Sequence, residues 1–507
     1  MSATTKNSKT LPLSDISQLT YEEYAEAVTN GIQKGGTLLA SMVDPVSDSK
    51  QASLHDLFTV ISYPDRTIGV FRTRIGSHFP SLTPNYPQFH LFEREIAEQH
   101  GLIADGHPWL KPVRFHQVQS GGIDAWGRDP NTHPLVGEME YFQVSGDEIH
   151  EVGVGPVHAG VIEPGHFRFQ CFGEKVLHLE ISLGYQHRGL ESGLVEAPSP
   201  RSMARIETMA GDTTIGHATA HCRLIEGIAG THIPPRAVAL RAVALELERL
   251  ANHVGDIGAM AGDIGYLPTA SFCGRLRGDY LNMTAQICGS RFGRGLVRPG
   301  GLLFDTDQKM VDELLTGLTE ITKQTKGAIK LFFNAPSVLS RLDHTGTVSL
   351  QDGLDLGLTG VAGRACGINC DVRRLYPLGK EKNHFHPEIL RQKGDVLARA
   401  QVRRLEIEAS LDFIKNTLAD LPKGQIITPL EKQPAGDSII ISLVEGWRGR
   451  IAHLGLTDPK GLLRRYKVID PSFFNWSGLA MALRNEQISD FPLCNKSFNL
   501  SYCGVDL

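Results

Sequence analysis

The residues with obvious chemical capacity in this chain are thiols, imidazoles and carboxylates set close together. Eight cysteines, at 171, 222, 273, 288, 366, 370, 494 and 503, are of the type that binds soft metals or pairs as disulfides. No two of them form a CxxC, so the chain alone offers neither an iron–sulfur cluster nor a disulfide scaffold. Reduced, mostly buried thiols are the expectation, with only Cys366-x3-Cys370 and the Cys494/Cys503 pair spaced closely enough to attract suspicion. A second set, His187, Arg188 and Glu191, places charges of both signs within about one helical turn, which points to buried ion pairs holding an interface. A third pair, His217 and Glu226, falls on what should be one helix. At about 100° per residue the two diverge by roughly 180°, so both can line one site only if the helix bends.

Positioning such groups takes a scaffold, and 507 residues exceed what a single core fills, so two or three domains are expected. Hydrophobic residues at 41% and charged residues at 21% are ordinary for a globular protein. A net charge of -5 provides no basic field, which removes nucleic acid from the expected partners. No window of about 18 apolar residues marks a membrane span. Residues 1–15 lack the apolar core of a signal peptide and read as a flexible tail.

Residues 16–148 read as a small α/β domain. An amphipathic stretch from Tyr21 to Ile32 leads to Gly35-Gly36, then to β-like runs at Leu57–Ile61 and Ile68–Phe71. A short helix from His90 to Ala97 is ended near Gly101, and the polar stretch from Gly127 to Pro134 marks the boundary region. Residues 149–507 open with two β-like runs, His166–Phe172 and Lys175–Ile181, joined at Gly173-Glu174 as a hairpin. Helical patterns follow at Arg236–His253, Met310–Phe333 and Lys393–Leu421. The expected class is α+β, the second domain being mainly helical with a small antiparallel sheet at its start.

Several motifs resemble known families. Glu93-Arg94-Glu95, Gly101-Leu102-Ile103 and Gly106-His107-Pro108-Trp109-Leu110-Lys111 are similar to the ERExxDxxGIxFxGHPxLxR signature of the 30-kDa-type subunit of complex I, with His100 in place of the Asp. In the second domain, Gly155-Pro156-Val157-His158, Glu163-Pro164 and Leu183-Gly184-Tyr185-Gln186-His187-Arg188-Gly189-Leu190-Glu191 resemble the quinone-site (49-kDa-type) subunit of complex I. They resemble the membrane-bound group 4 nickel–iron hydrogenases more closely. Pro235-Arg236-Ala237, Glu246-Leu247-Glu248-Arg249, Arg298-Pro299-Gly300-Gly301, Gly363-Arg364-Ala365, Asp371-Val372-Arg373 and Glu445-Gly446-Trp447-Arg448-Gly449 follow in the family order. Ala210-Gly211-Asp212-Thr213, with His217 and Glu226, resembles the hydrogenase CGxC segment, and Ser497–Asp506 resembles the SxDPCxxCTD segment. In that register the four nickel-ligand positions hold Ala210, Thr213, Ser501 and Gly504, none of which replaces a thiolate.

The resemblance implies a large subunit of formate hydrogenlyase type, with fused 30-kDa-like and 49-kDa-like domains and no nickel ligands. Its superfamily contains hydrogenases and NADH:quinone oxidoreductases, so NAD- and quinone-linked electron transport are the chemistries it brings. Half of the His/Tyr pair that serves quinone is missing: His158 has no second His nearby, and Arg205 stands at the Tyr position. Glu163, His158 and Arg448 are the candidate catalytic residues, as a proton relay or as the lining of the former active site, and Arg448 is expected to pair with Asp212 or Asp506. His187, Arg188, Glu191, Glu93, Arg94 and His107 are expected in structural or interface roles. No cofactor is expected on this chain, and an iron–sulfur cluster belongs to a partner. The implied partners are a complex I small-subunit-like iron–sulfur protein, a ferredoxin-like subunit, and antiporter-like and other integral membrane subunits. The implied location is the cytoplasmic face of the cell membrane. The alternative is an active oxidoreductase passing electrons from a partner cluster to a quinone or another acceptor.

Overall fold

The alternating and continuous apolar runs near the N-terminus fold as strands. The computed structural model describes residues 3–45, 54–119, 123–129, 131–195, 199–377, 387–430 and 434–507. Thr37–Pro45, His55–Ser62 and Ile68–Ile75 form an antiparallel meander, with Gln18–Leu19 parallel to the last strand. Helix Tyr21–Gln33 begins in a Thr20/Glu23 capping box and buries Tyr24 and Val28 against the sheet. The 30-kDa-like motif performs structural work within this chain. Glu93 accepts from the Leu82 amide at 2.7 Å and from the Thr83 hydroxyl at 2.7 Å. Arg94 donates to the carbonyls of Lys111 and Pro112, and the His107 ring donates to the His90 carbonyl at 3.2 Å. Gly101 closes helix His90–His100 in the left-handed conformation, φ +69°.

The opening residues are not a tail. Ala3–Thr5 pairs antiparallel with Ile68–Val70, and Thr10–Pro12 pairs antiparallel with Ser438–Ile440. Leu11 is buried there, so a strand with one apolar inward side chain has replaced the expected flexible lead.

Beyond residue 148 the expected hairpin forms as His166–Phe172 and Lys175–Ser182, with Ile149–Val154 as a third antiparallel strand. Helices Thr214–Ile228, Pro235–Asp263, Leu267–Cys288, Gln308–Asn334 and Val396–Ala419 make up the helical body. A second antiparallel sheet was not expected: Ser438–Glu445, Arg450–Thr457 and Leu463–Ile469, with Thr10–Pro12 on its edge. Its first two strands are buried at every residue, so neither shows the apolar–polar alternation that marks a half-exposed strand. The fold is α+β, with more sheet than the motifs alone announce.

Charged side chains join the two halves of the chain. Lys467, on the last strand of the buried sheet, pairs with Glu95 and, at 3.0 Å, with Glu191. Glu95 also pairs with Arg114, whose Nε donates to the Val505 carbonyl at 2.7 Å. All four charged side chains are buried, so each depends on its partners. Lys467→Met takes the ammonium from two buried carboxylates and is expected to lower the unfolding free energy by about 3–5 kcal/mol. Urea unfolding followed by circular dichroism checks this, and a loss below about 1 kcal/mol contradicts it.

Candidate functional site

Four elements meet at one polar cluster: the start of helix Thr214–Ile228, the turn Gly446–Gly449, the end of strand Leu463–Ile469, and the C-terminal segment Ser501–Leu507. The helix start is held from beneath by Glu248, whose two oxygens accept the amides of Ile215 at 2.7 Å and Gly216 at 3.1 Å. Those amides belong to the helix's unpaired first turn, so Glu248 acts as a cap supplied by another helix. Asn252, one turn further along, donates to the Asp212 carbonyl at 3.0 Å.

Arg448 is buried and grips the Asp212 carboxylate with both terminal nitrogens, each at 2.7 Å. It also donates to the Thr213 hydroxyl at 3.1 Å and stacks over Trp447 at 3.9 Å. Of the two carboxylates expected to pair with Arg448, the structure selects Asp212. Burial pushes the Asp212 carboxyl up, but the guanidinium overrides it and holds the carboxyl below the usual range.

Asp470, which follows the buried strand, accepts from the Ser472 amide at 2.8 Å and faces His217 Nε2 at 3.0 Å. Ser501 Oγ accepts the Gly504 amide at 2.9 Å. A methyl group at position 504 would stand 2.8 Å from Ser501 Oγ and 2.9 Å from the Asp470 carboxyl carbon. The space that a side chain at 504 would need is therefore filled.

Glu163 reaches the rim of this cluster. It is half-buried, not sealed from water, and accepts from the Gln186 side chain at 2.7 Å and the Cys503 amide at 3.2 Å. Asp506 accepts the amides of Gly184 at 2.8 Å and Gln186 at 2.9 Å, and burial raises its carboxyl to about 6. His158 lies on the exposed part of its loop, where its Nδ1 accepts the Gly160 amide at 2.9 Å. No described hydrogen bond ties it to the cluster.

His187, Arg188 and Glu191 do not form one ion-paired set. The His187 ring stacks on His116 at 4.9 Å, exposed Arg188 donates to the carbonyls of Thr208 and Met209, and only Glu191 turns inward to Lys467. The chain there is a turn and a short 3-10 helix, so helical spacing does not apply. Arg205, at the expected Tyr position, donates to the Gly193 carbonyl. His217 and Glu226 diverge as their spacing requires: Glu226 binds Arg241 at 2.6 Å on the other face of the helix.

Cys366 and Cys370 are buried thiols that burial pushes up to about 11. Asp343, His344 and Asp395 are the one group of metal-like spacing among the described residues. Asp395 is already engaged there, accepting the amides of His344 and Ala398, and Asp343 pairs with Lys393.

Sequence reasoning missed His221, His453, Tyr466 and Asp470, which continue inward from His217. The His217-x3-His221 spacing on one helix face was the available signal. Their partners lie on the sheet that the sequence did not reveal.

A family model described as "Respiratory-chain NADH dehydrogenase, 49 Kd subunit" matches residues 263–436. Over that segment the chain is similar to that subunit. It is 28% identical over 352 residues to the carbon monoxide-induced hydrogenase of Rhodospirillum rubrum, covering 69% of this chain and 97% of that protein. It is 28% identical over 385 residues to NADH-quinone oxidoreductase subunit 4 of Thermus thermophilus, covering 70% and 94%. Formate hydrogenlyase subunit 5 of Escherichia coli K12 is 26% identical over 452 residues, covering 84% and 77%. These matches agree with the group 4 hydrogenase and complex I resemblance carried by the motifs.

Two outcomes follow from the cluster. Burial raises the Glu248 carboxyl from 4.5 to about 8, against the two backbone amides that favour its ionised form. The native state therefore holds a proton that the unfolded chain releases between these values, and stability falls as pH rises from about 4.5 to 8. The slope from this group is at most about 1.4 kcal/mol per pH unit. Glu248→Gln is expected to flatten that part of the stability–pH curve, measured by urea unfolding at stepped pH. Gly504→Ala is expected to cost about 1–3 kcal/mol through overpacking against Ser501 and Asp470, read as a lowered thermal midpoint. An unchanged midpoint means that the site has room to spare.

Proposed function

We propose that this chain is a core peripheral-arm subunit of a hydrogenase-related, complex I-like membrane assembly that works without a nickel–iron centre. One observation carries this reading: in the hydrogenase register the four ligand positions are Ala210, Thr213, Ser501 and Gly504, and the Asp470 carboxylate stands against the bare Cα of Gly504. Nickel held by thiolates does not fit this donor set. A methyl group and a glycine offer no donor, and the two hydroxyls are hard ligands already engaged in hydrogen bonds. Arginine–carboxylate and histidine–carboxylate pairs occupy the cluster instead.

On this reading residues 16–148 correspond to the 30-kDa-type subunit and residues 149–507 to the 49-kDa-type subunit. The alignment of formate hydrogenlyase subunit 5 with 84% of this chain supports the fused arrangement. The subunit holds an iron–sulfur partner of the complex I small-subunit type, with a ferredoxin-like subunit, against antiporter-like and other ion-translocating membrane proteins on the cytoplasmic face. Among the described residues no helix is long and apolar enough to cross a membrane, which suits a peripheral place in such an assembly. Glu163 and Arg448, at the rim and floor of the cluster, are the residues through which a proton or charge movement would couple to the partners.

The complex, purified anaerobically and assayed for nickel, iron and zinc per copy of this chain, tests the reading. Nickel below about 0.1 per copy, with or without iron from a partner, is expected. Stoichiometric nickel overturns it.

A further inference from the structure

Behind Asp470 a line of polar side chains runs through the core. Asp470 Oδ2 lies 3.0 Å from His217 Nε2, and His217 Nδ1 lies 3.1 Å from His453 Nε2. His453 Nδ1 lies 2.8 Å from the Tyr466 hydroxyl, which lies 2.8 Å from His221 Nδ1. All five side chains are at most 1% exposed, and His221 Nε2, at the far end, has no hydrogen-bond partner among the described residues. We propose that Asp470, His217, His453, Tyr466 and His221 form a one-proton relay, which takes up a proton at His221 Nε2 and delivers it as an imidazolium at His217 beside the Asp470 carboxylate. This inference stands on the hydrogen-bond line itself and not on the assembly proposed above.

Proton counting fixes the polarity of the line. An ionised Asp470 only accepts, so His217 must carry its proton on Nε2, and a neutral ring then leaves Nδ1 bare. His453 must therefore donate from Nε2 and accept at Nδ1 from the Tyr466 hydroxyl. The tyrosine oxygen accepts from His221 Nδ1–H, and His221 Nε2 is left with a free lone pair. A proton added there shifts three hydrogens by one bond each. His221 Nδ1–H passes to the tyrosine oxygen, the tyrosine hydrogen passes to His453 Nδ1, and His453 Nε2–H passes to His217 Nδ1. The product has a neutral tyrosine, two neutral rings with exchanged tautomers, and a His217 imidazolium paired with the carboxylate. One positive charge enters and one is held.

The surroundings favour this resting place. Arg448 and Asp212 lie toward the Asp470 end, and Cys222 and Glu191 lie toward Tyr466. Burial holds His453 well below its ordinary value and lowers His221 to about 4, so neither ring retains the proton. Burial pushes the Asp470 carboxyl up, but the His217 hydrogen bond and the Arg448 charge outweigh it and keep Asp470 ionised. Along the line only the His217 ring is hydrogen-bonded to a carboxylate, Asp470, which gives the line a direction.

The test is histidine-selective nitrogen-15 labelling of the full-length chain, with ring tautomers read by NMR and assigned from His217→Gln, His221→Gln and His453→Gln. At pH 8 the expected state is Nε2–H at His217 and His453 and Nδ1–H at His221. On acidification His217 should gain its second proton in the same step in which His453 and His221 exchange tautomers. Tyr466→Phe should leave His221 unresponsive to that step, and the wild-type titration decides the matter if this variant does not fold. The proposal is overturned if His221 carries Nε2–H at pH 8 while His217 is neutral. It is overturned equally if His217 charges while the other two rings keep their tautomers, or if His217 gains no second proton down to the lowest pH at which the chain stays folded.

Discussion

A buried charge is tolerated only where another charge or a set of hydrogen bonds meets it, and this protein applies that constraint along one sheet. The strands Ser438–Glu445, Arg450–Thr457 and Leu463–Ile469 lie at the centre of the molecule and carry Glu445, Arg450, His453, Tyr466 and Lys467 inward. Each finds its partner on a different element. Glu445 accepts from Arg364 at 2.7 Å, Arg450 from this sheet reaches the Leu38 carbonyl at 2.9 Å, and Lys467 bridges to Glu95 and Glu191. Removing one member of such a set leaves an uncompensated charge, so the set behaves as a unit. The relative placement of the N-terminal sheet, the helical body and the C-terminal segment follows from satisfying these groups together.

The polar cluster at the end of that sheet obeys the same rule. At positions 210, 213, 501 and 504 the chain has a methyl group, two hydroxyls and a glycine, and the polar groups packed around them must be met. Arg448 and Asp212 pair their charges there, and the Asp470 carboxylate meets the His217 ring. The surrounding backbone is held locally: the helix start caps on Glu248, and the C-terminal turn closes through Ser501 and Gly504.

Much of the frame was legible because local rules held. The hairpin at Gly173-Glu174, the helix ended by Gly101 and the long helices from Pro235, Gln308 and Val396 lie where turn residues, caps and 3.6-residue periodicity place them. The choice of Asp212 for Arg448 was narrowed to two residues by motif register alone. Other expectations failed where local spacing was not the deciding force. His187, Arg188 and Glu191 are close in sequence, but an irregular turn sends them to His116, to backbone carbonyls and to Lys467. The first fifteen residues look like solvent-exposed lead, yet two of their short segments complete sheet edges contributed by residues 68–70 and 438–440.

By itself the sequence determined the resemblance to complex I and hydrogenase subunits, the α+β class and the residues that stand at positions 210, 213, 501 and 504, because these depend on residue identity in order along the chain. Only the tertiary structure decided what those positions contact. The partners that define the cluster are remote: His217 and Asp470 are separated by 253 residues, and Arg448 and Asp212 by 236. No periodicity or motif spacing encodes a contact of that range. It is set by a sheet whose three long strands are almost wholly buried and show no regular alternation, and by the requirement that every charge it carries inward be met.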